Sequence, residues 1–368
     1  MGRRELLIAL AFVVVGIVAY QFGAPPAKAG QGFSLSRFFT AARQQLQSDR
    51  AQASYTQRGT LPVGPDLAEV RVAHITHSVT ITGEARSDIA YELKVDSTGP
   101  DAATALSYAK RTTLTSDDLG SALALGADYP SEGSQVAVLT LRVPMRLSAR
   151  LDNTESVRIT HIAGVKLDGL SGDAVLEGLS GAVTGQFRTG SLAVTEASSV
   201  DMALQGANVT LDGVAHDVTL TVRAGRCTLS HIMGAIEIDA TNTEVFVTAP
   251  RGSVHVGASG GHVSVTRPER AIDLEGRRTG LEVILAAAVP MTLVTSEEPL
   301  SLRFEAAPPP ITVDAAASDG GSIRADDPRL AITSDNRTTR LEHEFGGPSA
   351  PRVVMRNQRG EIVIGIAK

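Results

Sequence analysis

The 368-residue chain contains no tryptophan, and aromatic residues make up 4% of it. Stacked bases and most sugars are held on aromatic platforms, so nucleic acid is not expected as a partner. A formal charge of -6 at pH 7 supplies no basic footprint for it either. The single cysteine, Cys227, excludes an internal disulfide, and packing alone must stabilise the fold. Its position as the first residue of CTLS reads as a small apolar core residue rather than a reactive thiol. No G-x-S-x-G nucleophile elbow stands at a strand-to-helix turn, and no G-G-x-G-x-D calcium repeat occurs.

What the chain has instead is repetition. Between residues 157 and 304, short strand-like phrases return every eight to ten residues, among them VTLD, VTLT, CTLS, AIEI, EVFV, SVHV, HVSV and AIDL. Their first positions fall at Val209, Val218, Cys227, Ile236, Val245, Val254, Val263, Ile272 and Leu281, a step of nine. Inside each phrase apolar and polar residues alternate, the pattern of a strand with one buried face. Nine residues are too few for a strand plus a crossover helix, and the repeated Asn-Gly turns of a hairpin meander are lacking. The expected fold is all-β: a β-solenoid in which two or three phrases close each turn and neighbouring turns complete one another.

The flanks extend this layout. MGRRE followed by the apolar run from Leu6 to Tyr20 and by Ala27-Lys28-Ala29 has the grammar of an export signal. Residues 1–29 are thus expected to be a signal peptide or a signal-anchor transmembrane helix, with the body outside the cytoplasm. Residues 30–67 read as a juxtamembrane segment and linker, with Phe38, Ala42 and Leu46 on one helical face. Residues 68–368 form the β-domain. Within it, SVTITGE already resembles a repeat phrase, Asp101 caps a helical insertion over 101–111, and QVAVLTLRVP is a strand leading into the repeat. Residues 305–368 read as final coils and a cap.

The order of these features, an export segment, SVTITGE, a helical insertion, LTLRVP, glycine-cornered phrases (DGLSGDAVLEGLSGAVTGQFRTGSLAV) and a terminal RGEIVIGIAK strand, resembles the bacterial putative-adhesin domain family of unknown function. The resemblance covers residues 68–368. It implies a β-solenoid of the cell envelope and surface interaction, and it carries over no catalytic or binding residue.

Candidate chemistry is sparse. The outward acids Asp168, Asp173, Glu177, Asp201, Asp212, Asp239, Glu244, Asp273 and Glu282 are spread along the body and read as a solvated face. His74 and His77, three apart on a strand, point to opposite sides and suit no single ion. His255 and His262 come from neighbouring phrases and lack a third ligand. No catalytic, cofactor-binding or metal-ligating residue is therefore assigned, and no cofactor is expected. The expected function is that of a non-catalytic adhesin-like or scaffold module, whose partner is an envelope protein or cell-wall component. Two alternatives stand beside it: a polysaccharide-active enzyme, which needs an outer groove with two acids within about 10 Å, and a regulatory partner of an envelope-stress signalling system.

Overall fold

The computed structural model describes residues 51–367, apart from 153, 336 and 348. The export segment and the helical face of Phe38 lie outside the described residues. Over the described residues the chain is mostly β, with 24 strands in one mixed, mostly parallel hydrogen-bonded network and a single α-helix. The segment Ala51–Pro62, expected as linker, is instead a 12-residue strand, β1, which pairs with a strand of the β-domain, β4 (Asp88–Gly99).

The repeat resolves into six long strands: β11 (Ala182–Ala197), β12 (Ser199–Val214), β13 (Val218–Ser230), β14 (Ile236–Thr248), β15 (Val254–Thr266) and β16 (Ile272–Leu285). Each pairs in parallel with the next. Val200 faces Val218, Val218 faces Ile236, Ile236 faces Val254 and Val254 faces Ile272, 18 residues on at each step. A parallel neighbour reached without any crossover helix requires the chain to make a complete circuit every 18 residues. Two nine-residue phrases therefore make one circuit, one on each of two faces. On the first face Val218, Ile236, Val254 and Ile272 form an inward row; on the second, Cys227, Val245, Val263 and Leu281 do. All eight are buried in one contiguous core. An isolated circuit would leave both edges of its backbone unpaired, so circuits are stable only when stacked.

The corners explain why the glycine pattern looks irregular in the sequence. Left-handed residues close most of the faces. After the first face these are Gly169, Gly206, Ala224, Asn242, Gly260 and Arg278; after the second they include His161, Glu196, His231, Ala249 and Arg267. Their φ values lie between 49° and 78°, a region open to non-glycine residues at modest cost. Gly190 is different: at φ 116°, a Cβ would lie 1.8 Å from the carbonyl oxygen of Gly172 in the preceding circuit. Only glycine fits that close stacking.

The stack continues past both ends of the regular run, but not in sequence order. At one end β10 (Gly164–Glu177) rests on β8 (Ser148–Asp152) and β9 (Ser156–Thr160). The next circuit outward is β2 (Glu69–Val72) with β3 (Ser78–Glu84), so the SVTITGE phrase does belong to the stack. Beyond it lies the circuit of β6 (Ala122–Asp128) and β7 (Ser134–Pro144). The strand ending at Pro144, expected to lead directly into the repeat, is thus separated from it by β2 and β3. Antiparallel strands follow, β5 (Thr113–Asp118) on β6 and β4 on β7, with β1 paired to β4. Helix α1 (Ala102–Arg111) forms where expected. Its cap is Asp101, whose Oδ1 accepts the Thr104 amide at 2.8 Å, and it buries Ala105 and Ala109.

The other end repeats the device. β17 (Met291–Ser296) and β18 (Leu300–Phe304) follow β16 in order. Their outer neighbours are the last strands of the chain, β23 (Arg352–Gln358) and β24 (Glu361–Ile366). β19 (Thr312–Ser318) and β20 (Ser322–Ala325), earlier in sequence, lie outside those. Antiparallel β22 (Thr338–Glu344) and β21 (Ile332–Ser334) then cover the edge of β19, which blocks edge-to-edge growth there.

Candidate interaction surface

Strand alternation turns every second residue of each face outward, and the 18-residue register lines those residues up in columns. One circuit rises about 4.8 Å above the next, so residues in a column are spaced at that interval. On the first face, the column of Ala203, Thr221, Asp239, Gly257, Glu275 and Val294 is the functionally interesting one. Gly257, with no side chain, leaves a gap between Asp239 above and Glu275 below. The gap opens into a concavity of about 710 Å³ whose rim carries Arg223 and Arg277. A second recess of about 240 Å³ surrounds Ala203 and is lined by Gln186, Arg188 and Gln205. The two share Thr221 and Arg223, so they form one groove running across successive circuits.

Most outward charges elsewhere are paired. Asp168 accepts from Arg150, Glu244 from both Nε and Nη2 of Arg226 at 2.9 and 2.5 Å, and Glu282 lies 3.3 Å from Arg303. Asp212 takes bonds from His231 at 2.7 Å and Ser230 at 2.8 Å, which hold its carboxyl below the usual range, His231 contributing most. Asp173 accepts from Ser191 at 2.5 Å. In the groove, by contrast, none of Arg188, Arg223, Arg277, Asp239 and Glu275 enters an ion pair among the described residues.

The acids named from sequence divide between the two faces. Asp168, Asp201, Asp239 and Asp273 lie on the first; Asp173, Glu177, Asp212, Glu244 and Glu282 lie on the second. The structure brings only Asp239 into the groove. Glu275 and the three arginines were not singled out from sequence. The usable signal for them is a step of 18, not nine, because a nine-residue step alternates between opposite faces. Asp239 and Glu275, two circuits apart, have backbones roughly 10 Å from each other. Both are exposed in an open concavity. The apolar enclosure that sets apart the acid and base of a carboxylate pair is lacking there.

The histidines do not converge. His255 lies on the first face beside Asp273 at 3.3 Å, and His262 lies on the second, 6.3 Å from the Phe246 ring. His74 sits in a left-handed corner, and His77 meets Glu155 at 3.2 Å. Among the described residues no group of three or more His, Cys, Asp or Glu side chains could hold a metal ion. Cys227 is buried in the second-face row, and burial pushes its thiol up to about 12; it is a core residue without nucleophilic character. A separate apolar recess of about 400 Å³ lies at the far end, between Phe304, Leu330, Phe345 and Ile366, with the Asp327–Arg329 ion pair beside it. No helix among the described residues is long and apolar enough to cross a membrane.

No protein-family model and no curated protein matches the sequence. Among solved structures the chain is similar to a putative cell adhesion protein from Clostridium sporogenes (9% identity, TM-score 0.20, 85% of this chain and 100% of that one). It is also similar to a putative adhesin from Parabacteroides merdae (8%, TM-score 0.31, 85% and 97%) and to one from Bacteroides fragilis (9%, TM-score 0.25, 86% and 97%). At these scores the likeness fixes neither a superposition nor a ligand.

Proposed function

We propose that the chain is an exported, non-catalytic β-solenoid that works by binding at the cell envelope, as an adhesin-like or scaffold module. The observation that carries this reading is the groove on the first face. Its charged side chains are unpaired, it runs across successive circuits, and it lacks the enclosure a reacting centre needs. The 18-residue register supports the solenoid, since it stacks every circuit on its neighbour. The arginine-flanked apolar segment at residues 6–20 supports placement outside the cytoplasm, by a cleaved signal or a retained anchor. Incubating the purified body with envelope fractions of the source cell tests the reading. Saturable retention of cell-wall or membrane-protein material is expected; retention of nothing above a core-disrupted control would sink it.

One observation favours a second reading, the polysaccharide-active enzyme: Asp239 and Glu275 line the same groove with backbones roughly 10 Å apart, near the upper end of the separation of inverting carboxylate pairs that hydrolyse glycosidic bonds. Release of reducing ends from an envelope polysaccharide, abolished by Asp239→Asn, would establish it in place of the binding reading.

A further inference from the structure

We infer that the first-face groove takes a linear acidic polysaccharide of the polyuronate type, with its carboxylates on the arginine rim and its hydroxyls on the acidic floor. This ligand class rests on the binding reading above and narrows it. Four features of the groove carry it.

The groove offers no backbone for pairing. Residues 218–223 are bonded to 200–205 on one side and to 236–241 on the other, and the next circuits repeat this. A peptide therefore cannot add as a strand, and recognition falls to side chains alone. Next, the rim is cationic and available. Arg223 and Arg277 stand in one column, three circuits or roughly 14 Å apart, and Arg188 lines the adjoining recess with Arg223. All three are exposed and outside any ion pair among the described residues, whereas Arg150, Arg226 and Arg303 are paired. A guanidinium fork matches a planar carboxylate in two hydrogen bonds.

The floor and the wall between the arginines supply acceptors and hydroxyls: Asp239, Glu275, Thr221, Thr241 and Ser259. Carboxylates are acceptors only, so they suit a ligand that presents hydroxyl donors along the edge opposite its anionic groups. Finally, the groove repeats at about 4.8 Å per circuit, close to the advance of one pyranose in an extended chain. A nucleic acid shares the negative charge, but the aromatic residue in the lining, Phe187, is buried in the core and offers its bases no face to stack on.

Calorimetric titration of the full exported body with a size-defined oligogalacturonate, its methyl ester, a neutral cello-oligosaccharide and a single-stranded DNA oligomer tests the assignment. Saturable binding of the oligogalacturonate is expected. The ester and the neutral oligomer should bind at least about tenfold more weakly, and salt should weaken the acid form. The double variant Arg223→Gln/Arg277→Gln should lose at least about tenfold in affinity while its thermal midpoint stays that of the parent. Arg158→Gln, an exposed arginine on the second face, should change nothing; an equal loss there would reduce the effect to overall charge and overturn the site. Equal binding of acid and ester, no loss in the double variant, or DNA bound as tightly as the oligouronate would also overturn it. If the oligouronate fails while envelope fractions are still retained, the ligand class is wrong and the binding reading stands. If both fail, both fall.

Discussion

The middle of the stack and its two ends are built from the same circuits but ordered by different rules. From β10 to β18 each circuit lies on the one that precedes it in sequence. At both ends one circuit is threaded out of order. β2 and β3 lie between β8–β9 and β6–β7, and β23 and β24 lie between β17–β18 and β19–β20. Three of the four end sheets then add antiparallel strands. A stack that only repeats has two open ladders and can recruit another copy at either one. Threading a distant segment under the last circuit ties each cap to the body through two parallel interfaces, which a simple repeat cannot supply.

The comparison breaks most severely if the threaded circuit is removed. A chain ending at Pro351 lacks Val353, Met355, Ile362 and Ile364, all fully buried. At about 2 kcal/mol each, on the order of 8 kcal/mol of apolar burial disappears, and β19 and β20 lose their parallel partners. Hydrogen exchange should then show protection lost over β17 to β22 together, while β13 to β15 retain theirs because coupling is between neighbours. Protection that persists in β19 would mean that β23 and β24 do not separate it from β17.

Within the regular region the decisive contrast is between inward and outward positions of the same circuits. Val245 is fully buried in the second-face row between Cys227 and Val263. Val245→Asp leaves a charge there without a partner and should cost about 4 kcal/mol in urea unfolding. Thr219, exposed on the first face between Asp201 and Glu237, should accept aspartate at a cost of about 1 kcal/mol, set by those like charges. Similar losses at both positions would mean that the faces of the repeat are assigned wrongly.

The same contrast marks what could be read from the residues alone. Alternation and the nine-residue step are local properties, so the inward rows from Val209 to Leu281 were legible one by one. The helix at 101–111 was legible too, because Asp101 and the alanine spacing act within one turn. Circuit length was not, since a nine-residue step fits two or three phrases equally well; only pairing across 18 residues distinguishes them. The threaded ends were illegible for the same reason: nothing near Val353 records that its partners are Met291 and Val313. β1 was read as linker because its polar, half-exposed pattern gives no apolar face, although it pairs with β4. The groove was missed because Arg223, Asp239, Glu275 and Arg277 are scattered in sequence and converge only through the register. Glycine corners misled in the opposite direction, since Ala224, Asn242 and Arg278 adopt the left-handed conformation without being glycine.

A smaller effect than that at Val245 tests how the threaded circuit is fastened to its outer neighbour. Asp314 on β19 accepts from Arg352 and, at 3.0 Å, from Arg356 of β23, and its side chain is only 19% exposed. The hydrogen bond from Arg356, followed by that from Arg352, holds the carboxyl below its ordinary value against the opposing effect of burial. A carboxylate whose value is depressed by folding contributes stability above its unfolded value, about 4. That contribution is lost as pH falls through the lower folded value. Asp314→Asn should therefore cost about 2 kcal/mol at pH 7, less if solvent screens the more exposed Arg352. The gap between parent and variant should narrow below about pH 4. The loss should appear as earlier exchange in β19 and β22, with β13 to β15 unchanged. A gap that widened on acidification would mean that the Asp314 carboxylate opposes the docking of β19 on β23, and the fastening would then have to come from the Val313, Val353 and Met355 contacts alone.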